Sequence, residues 1–399
     1  MPDYYKKSIE LHQKLRGKIE ISNKVNVASK EDLAVVYSPG VAQPCLEIEK
    51  NQELAYDYTI KGNTVAVISD GSAVLGLGNI GPKAAIPVME GKAMLFKKFG
   101  GVDAFPICLD TQNSQEIIDT VKRIAPVFGG VNLEDISAPR CFEIEAALQE
   151  IGIPVFHDDQ HGTAIVTLAG ILNACKVLGK NIDELKVVVN GAGSAGVAIS
   201  KLLRCVSMDP IKCQSVKEII ICDSKGIIHR NRTNLNPVKQ ELLEYSNPHN
   251  LEGSLQDALK NADVFIGVSK GNILSAEDVK TMNENPVIFA LANPEPEITP
   301  EEAYKGGAAI VATGRSDYPN QVNNVLVFPG IFRGALDGRA KRITPLMKLA
   351  AAYALANCID QPTRDRIIPS AFDDGIANKV SNAVANSCST ISNHNHNRI

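Results

Sequence analysis

The sequence predicts an α/β protein: an N-terminal α/β domain followed by a Rossmann-type, doubly wound parallel-sheet domain, closed by C-terminal helices. Three observations predict it. Short Val/Ile/Phe-rich runs alternate with helical patterns along most of the chain, the rhythm of parallel strands joined by crossover helices. Those runs are almost continuously apolar, as strands covered on both faces are. The length of 399 residues suits two or three domains at about 150 residues each.

The elements follow in order. The first 30 residues are polar and Lys-rich, with Leu11, Leu15 and Ile19 at helical spacing, which predicts a short amphipathic helix. Residues 64–69 (TVAVIS), 104–109 (AFPICL) and 153–156 predict strands, and residues 83–99, 115–124 and 162–178 predict helices. A second series of strands is expected at 185–190 (LKVVVN), 218–222 (EIIIC), 262–268, 286–292, 308–312 and 325–328 (VLVF), with a helix at 197–206 after the first of them. Residues 178–183 form the crossover between the series. The expected domains are 1–160 and 161–385, with residues 386–399 as a frayed tail, since the Asn/Ser-rich end from 380 onward carries little apolar pattern.

Composition narrows the function. Forty-one Lys+Arg against 45 Asp+Glu leaves a net charge of −4, which disfavours a general nucleic-acid binder. Uncharged apolar runs such as 162–175 and 187–200 stop at 14 residues, short of the roughly 20 of a membrane span. The first ten residues, MPDYYKKSIE, lack the apolar stretch of a secretory signal. Nine cysteines without a CxxC pair predict reduced thiols filling core positions in a cytoplasmic protein. Trp is absent and aromatics are 5 %, so stacking platforms for single-stranded nucleic acid are missing.

Two segments match G-x-G-x-x-G: GLGNIG (Gly76, Gly78, Gly81) and GAGSAG (Gly191, Gly193, Gly196). In a dinucleotide site the first Gly makes a tight turn, the second lets pyrophosphate approach the backbone, and the third packs helix on strand. Only the second copy has the context, because a strand runs straight into Gly191 and a helix follows. Gly191, Ala192, Gly193, Ser194, Ala195 and Gly196 are therefore the expected cofactor loop. Asp223, 27 residues beyond Gly196, ends the next strand, where a carboxylate can accept ribose hydroxyl bonds and favour NAD. Lys225 leaves NADP open. In GLGNIG five residues separate Asp70, at the end of its strand, from Gly76, and Pro82 follows at once; it reads as a close-packed loop near the other domain.

Acidic residues cluster in NLEDIS (Glu134, Asp135) and HDDQHG (Asp158, Asp159). The second pair follows a strand at its carboxyl end, where open α/β sheets bind ligands. Carboxylates converging there would repel one another unless a divalent cation neutralised them, and hard oxygen donors suit Mg²⁺ or Mn²⁺. Equally, acidic turns are often simply solvated, and His157 and His161 read more readily as scaffold than as ligands.

At this point long stretches resemble a known family. VYSPGVA (36–42), VLGLGNIGP (74–82), PVMEGKAMLFKKFGGVDAFPICLDT (87–111), NLEDISAPRCFEIE (132–145), PVFHDDQHGTA (154–164), IFALANPEPEI (288–298) and ATGRSDYPNQVNNVLVFPGIFRGAL (312–336) together resemble the malic enzymes, most of all their short bacterial-type subunit. The resemblance covers nearly the whole chain, in order. It implies oxidation of L-malate to pyruvate and CO₂ with NAD or NADP and a divalent metal, in a homodimer with the N-terminal segment at its interface. It further implies Tyr37 as general acid, Lys92 as general base with Asp158 beside it, and Glu134, Asp135 and Asp159 as metal ligands. Asn293, Asn323 and Asn324 would contact substrate or nicotinamide, and Thr163 would lie close to the cofactor. One departure stands out: longer forms place an Arg before GLGxxG to hold a malate carboxylate, whereas this chain has Ser72 and Ala73 there. The alternative chemistry is malolactic, with lactate released and the cofactor retained.

Overall fold

The computed structural model describes residues 3–209, 211 and 213–395. It opens with four helices, α1 (Tyr4–Leu15), α2 (Lys30–Val36), α3 (Ala42–Lys50) and α4 (Ala55–Tyr58). Local chemistry starts them: Asp3 caps α1, and Ser29 with Asp32 forms a reciprocal capping box on α2. The expected amphipathic helix is present with Leu11 and Leu15, but it ends at Leu15 and leaves Ile19 outside. Its apolar face is uncovered, however, and none of the four helices buries a residue.

The first sheet contains β1 (Thr64–Ser69), β2 (Asp103–Cys108), β3 (Gly130–Leu133) and β4 (Val155–His157), ordered β2-β1-β3-β4 and wholly parallel. Helices α5 (Pro82–Gly100), α6 (Ser114–Ile124) and α7 (Arg140–Leu148) connect its strands. The second sheet has β5 (Lys186–Asn190), β6 (Glu218–Asp223), β7 (Gly226–Ile227), β8 (Val264–Gly267), β9 (Val287–Ala290) and β10 (Ile310–Thr313). Its order is β10-β9-β8-β5-β6-β7, parallel except for β7. The chain runs outward in opposite directions from β1 and from β5, so each sheet has a switch point with a crevice at its strands' carboxyl ends.

One helix joins the two sheets. α8 (Asp158–Leu178) starts directly after β4 and buries most of its length against α9 (Ser194–Leu203) and α15 (Pro345–Ala356). It is the one helix among the described residues long and apolar enough to cross a membrane, and it serves as a core helix. It outruns the predicted 162–178 segment because Asp158–His161 form its first turn. The small helices α10 (Pro237–Leu242), α11 (Leu255–Leu259), α12 (Ala276–Val279) and α13 (Pro300–Lys305) flank the second sheet, and α14 (Phe328–Asp337) packs on α5. An aromatic cluster welds this seam: Phe96 lies 4.6 Å from Phe328 and 5.3 Å from Phe332, and Phe156 lies 5.9 Å from Phe332, centroid to centroid.

Three expectations fail. The segment 325–328 is no strand, because Asn323 caps a 3-10 turn at Asn324–Leu326 and Pro329 opens α14. The tail does not fray from residue 386, since α16 (Ile376–Asn395) is helical; the last four residues of that expectation lie outside the described residues. Val380 and Val384 are fully buried against α14, whose Gly330 and Gly334 leave room that a Cβ would close at 2.7 and 2.4 Å. Finally, Cys205 and Cys213 form a disulfide, with Cα atoms 5.9 Å apart in the range that permits bridging. Seven other cysteines are free, as expected for all nine.

Candidate active site

The carboxylates converge because their strands are parallel neighbours. β3 and β4 end side by side, Leu133 opposite His157, so the residues that follow them meet over one crevice. Glu134, Asp135 and Asp159 each place a carboxylate oxygen within 4.8 Å of the others'. Asp135 adopts φ 54°, a left-handed turn that brings its side chain round to the cluster and lets its N–H donate to Asp159 Oδ2 at 2.8 Å. Asn132 Nδ2 donates to Glu134 Oε2 at 2.8 Å. Burial and the neighbouring carboxylates push Glu134 and Asp135 up, Asp135 to about 8, by desolvation first and the Asp159 carboxylate second. Asp135 Oδ2 and Asp158 Oδ1 are buried without a hydrogen-bond partner among the described residues. Three carboxylates converging within 4.8 Å, with Asp135 Oδ2 buried and lacking a donor among the described residues, fit a divalent cation with hard-oxygen preference.

Lys92, from α5, reaches into this cluster. Its Nζ sits 2.7 Å from Glu134 Oε1 and 2.7 Å from Asp158 Oδ2, and 4.3 Å from the centre of the Phe328 ring. Burial alone would lower its pKa, but Asp158 and then Glu134 outweigh burial and hold it above the ordinary lysine value. A lysine that is to accept a proton needs the opposite shift, so the balance rests on how much of the carboxylate charge is compensated. Asn324 completes the arrangement, donating through Nδ2 to Asp158 Oδ2 at 3.1 Å, while Thr163 Oγ1 donates to Asn324 Oδ1 at 3.1 Å.

The second glycine loop is open where a cofactor must approach. β5 runs into Gly191, whose φ of 125° turns the chain, and Gly196 lies so close to the Gly191 carbonyl that a Cβ would overlap it. Gly193 faces open space, with nothing within 4 Å of where a Cβ would be. Ser194 and Ala195 follow at the N-terminus of α9, and among the described residues no backbone bond uses the N–H groups of Ala192, Gly193, Ser194 or Ala195. This cradle suits a pyrophosphate. Asp223 ends β6 as expected, but its carboxylate is already engaged. Arg232 donates to both oxygens at 2.9 Å, Lys239 to Oδ2 at 2.6 Å, and the Lys225 N–H to Oδ1 at 2.9 Å.

Not every predicted residue arrives. The Tyr37 side chain is 68 % exposed and makes no hydrogen bond among the described residues. Asn323 is exposed and caps the 3-10 turn at Val325 N–H, so Asn324 alone of that pair joins the cluster. Asn293 is exposed on the loop after β9, its Nδ2 making only a 3.4 Å bond to Leu291 O. GLGNIG packs close beneath this loop: a Cβ on Gly76 would lie 2.5 Å from the Asn293 carbonyl. Ser72, at the position where an Arg was missing, instead accepts from Arg140 Nη2 at 2.9 Å, and Asp70 pairs with the same nitrogen at 2.7 Å. Sequence reasoning passed over Gly162. A Cβ there would sit 2.0 Å from Asp158 Oδ1, and the signal was its place one turn after HDDQ.

A dinucleotide cradle and an acidic, lysine-bearing crevice on one two-sheet α/β frame define a nucleotide-dependent oxidoreductase. Comparison with known proteins narrows this. Residues 16–149 match the malic enzyme N-terminal domain, and residues 160–390 the malic enzyme NAD-binding domain. The chain is 55 % identical over 382 residues to the bifunctional malic/malolactic enzyme of Bacillus subtilis, covering 95 % of this chain and 91 % of that protein. It is 57 % identical to the NAD-dependent malic enzyme of Geobacillus stearothermophilus, covering 92 % of this chain and 76 % of that one. The solved NAD-dependent malic enzyme of Thermotoga maritima superposes with a TM-score of 0.90 at 52 % identity, covering 95 % of this chain and 98 % of that one. The chain belongs to the malic enzyme family.

Proposed function

We propose that this protein oxidises L-malate to pyruvate and CO₂, reducing NAD or NADP, with Mg²⁺ or Mn²⁺ held by Glu134, Asp135 and Asp159. The observation that carries the reading is Lys92, held 2.7 Å from Glu134 and from Asp158 within the three-carboxylate crevice. Bound there, the cation would acidify the C2 hydroxyl and stabilise the enolate left by decarboxylation. Lys92 takes the hydroxyl proton once compensation of the carboxylates lets it become neutral. Asp158 orients that amine and is itself fixed by Asn324, which Thr163 in turn orients. Tyr37 returns a proton to C3. Asn293 and Asn324 meet the substrate from the second sheet's side, so malate sits between the two halves.

GAGSAG takes the pyrophosphate. Beyond it, Asp223 accepts four hydrogen bonds, so its lone pairs are spoken for and ribose hydroxyls must compete with Arg232 and Lys239. Two cations against one carboxylate leave a positive balance that suits a 2′-phosphate, and on this ground NADP is used alongside NAD. The N-terminal segment supplies the homodimer contact: Tyr4, Tyr5, Ile9, Ile21 and Val35 are each more than 60 % exposed, apolar surface whose natural cover is a second copy. Tyr37 shares that segment, and its approach to Lys92 belongs to the assembled enzyme.

The test follows reduced nicotinamide by its near-ultraviolet absorbance, with L-malate, Mn²⁺ and NAD or NADP, beside the Lys92→Ala variant. A metal-dependent rise with pyruvate formed, lost in the variant, supports the reading. Lactate without net reduction moves the chemistry to malolactic. Neither product, from folded protein that binds the nucleotide, overturns it.

A further inference from the structure

The first turns of α8 carry two kinds of residue. At about 100° per residue, Asp158, Asp159, Gly162 and Thr163 fall on one face, toward the carboxylate crevice. Gln160, His161, Ala164 and Ile165 fall on the opposite face, and they line a separate cavity of about 290 Å³. α7 forms one wall, and α9 and the N-terminus of α15 form the others, so the cavity spans helices of both sheets. Its sides are largely apolar, from Phe142, Val197, Leu202, Met208 and Pro345.

Its polar groups are unevenly satisfied. Glu145 is fully occupied: His161 Nε2 lies 2.7 Å from its Oε1, and Gln160 Nε2 donates to its Oε2 at 3.0 Å. Although burial alone would raise it, the neighbouring His161 holds Glu145 down at about 2. Lys348 is the contrast. It lines the same cavity, and its Nζ has no hydrogen-bond or ion-pair partner among the described residues. Burial, with Lys201 as a second, opposing cation, brings it down to about 8 despite Glu145. Lys201 also lines the cavity, and its bond is to Glu241 at 2.7 Å, on the outer side. An ammonium without an acceptor, facing a largely apolar cavity beside a second ammonium, is a costly arrangement that an anion relieves.

We propose that this cavity is a binding site for a small amphipathic carboxylate, distinct from the malate crevice, with Lys348 taking the carboxylate and the apolar walls taking its body. The volume lies at the lower edge of small-molecule sites, about 300 Å³, which limits the ligand to something near a single ring or a short acyl chain. A carboxylate with one charged end fits better than malate, because malate's second carboxylate would meet apolar walls, Glu145 or Lys201, which is already paired with Glu241.

The probe is benzoate, titrated calorimetrically into the full-length protein, with benzyl alcohol and phenyl phosphate as comparators. Two variants accompany it: Lys348→Met removes the cation, and Ala198→Phe fills the cavity from α9. Neither residue belongs to the catalytic or cofactor machinery, and unchanged malate turnover verifies that each variant is folded. Benzoate is expected to bind at one site, and to bind Lys348→Met at least about tenfold more weakly, the scale of losing a charged hydrogen-bond partner. Ala198→Phe is expected to abolish binding, and benzyl alcohol to bind at least about tenfold more weakly than benzoate. Absence of benzoate binding, or equal binding by the wild type and both variants, overturns the site. Preference for phenyl phosphate over benzoate overturns the assignment to a carboxylate.

Discussion

The two glycine loops share one pattern and part company in everything around it. GAGSAG is entered directly from β5 and leads straight into α9, whose Ser194 and Ala195 N–H groups are unclaimed among the described residues. GLGNIG is separated from β1 by a turn, and its own amides are consumed: the N–H groups of Ile80 and Gly81 both bond Gly71 O at 3.1 Å. The helix it leads to begins at Pro82, which has no N–H to offer. A glycine motif becomes an anion site only when the helix behind it has donors to spare. What GLGNIG does instead is press Gly76 against the Asn293 loop, joining the two halves over the crevice.

That contrast can be broken most severely at Gly193. Gly193→Val fills the open space above α9 at a backbone conformation any residue adopts, φ −92°. KM for the nucleotide should rise on the order of 100-fold, about 3 kcal/mol at 1.4 kcal/mol per decade, with little change in melting temperature. Gly76→Ala should act on the other ligand. Its methyl group meets the Asn293 carbonyl, so malate KM should rise about tenfold, the scale of a positional disturbance worth 1–2 kcal/mol, while nucleotide affinity is kept. Equal effects on both ligands in both variants would erase the distinction between the loops.

Arg232→Ala sharpens the cofactor side. Steady-state kinetics should show kcat/KM for NADP falling about tenfold, the lower range for a charged hydrogen bond, and that for NAD holding or improving as Asp223 is released. The smallest effect is expected at Glu145, held at about 2, below its ordinary range. A carboxylate depressed in the folded state stabilises the fold above its unfolded pKa, and that contribution is lost as pH falls from about 4.5 toward 2. Glu145→Gln should therefore flatten the decline of the urea midpoint between pH 5 and pH 3 relative to wild type. An unchanged pH slope would show that the His161 pair contributes nothing to acid stability.

Strands were legible where parallel pairing demands long apolar runs, and the carboxylates were legible because they follow such runs. VLVF misled for a physical reason: Val and Phe suit a strand and a buried helix equally. The deciding signal was Gly330, Gly334 and Gly338 at four-residue spacing, a stripe that lets α16 approach α14 closely. The same spacing in Val380 and Val384 marked α16 itself. Gly162 was legible in principle, one turn after Asp158, whose carboxylate needs the space; the engagement of Asp223 was not, since it depends on Arg232 and Lys239 folding back from a later segment. The Cys205–Cys213 pair was hidden likewise, because spacing alone does not tell where a helix turns back.

α8 also acts as a ruler. Its first turn holds two acids of the crevice, and its later turns are locked among α9 and α15. Deleting a single residue between Thr163 and Leu178 would rotate everything before it by about 100° relative to the locked part, carrying Asp158 and Asp159 away from Lys92. A loop can absorb an insertion by bulging, but this helix cannot. Natural variation in length should therefore collect in the surface connections of the two sheets, and the count of residues along α8 should be among the least negotiable quantities in the molecule.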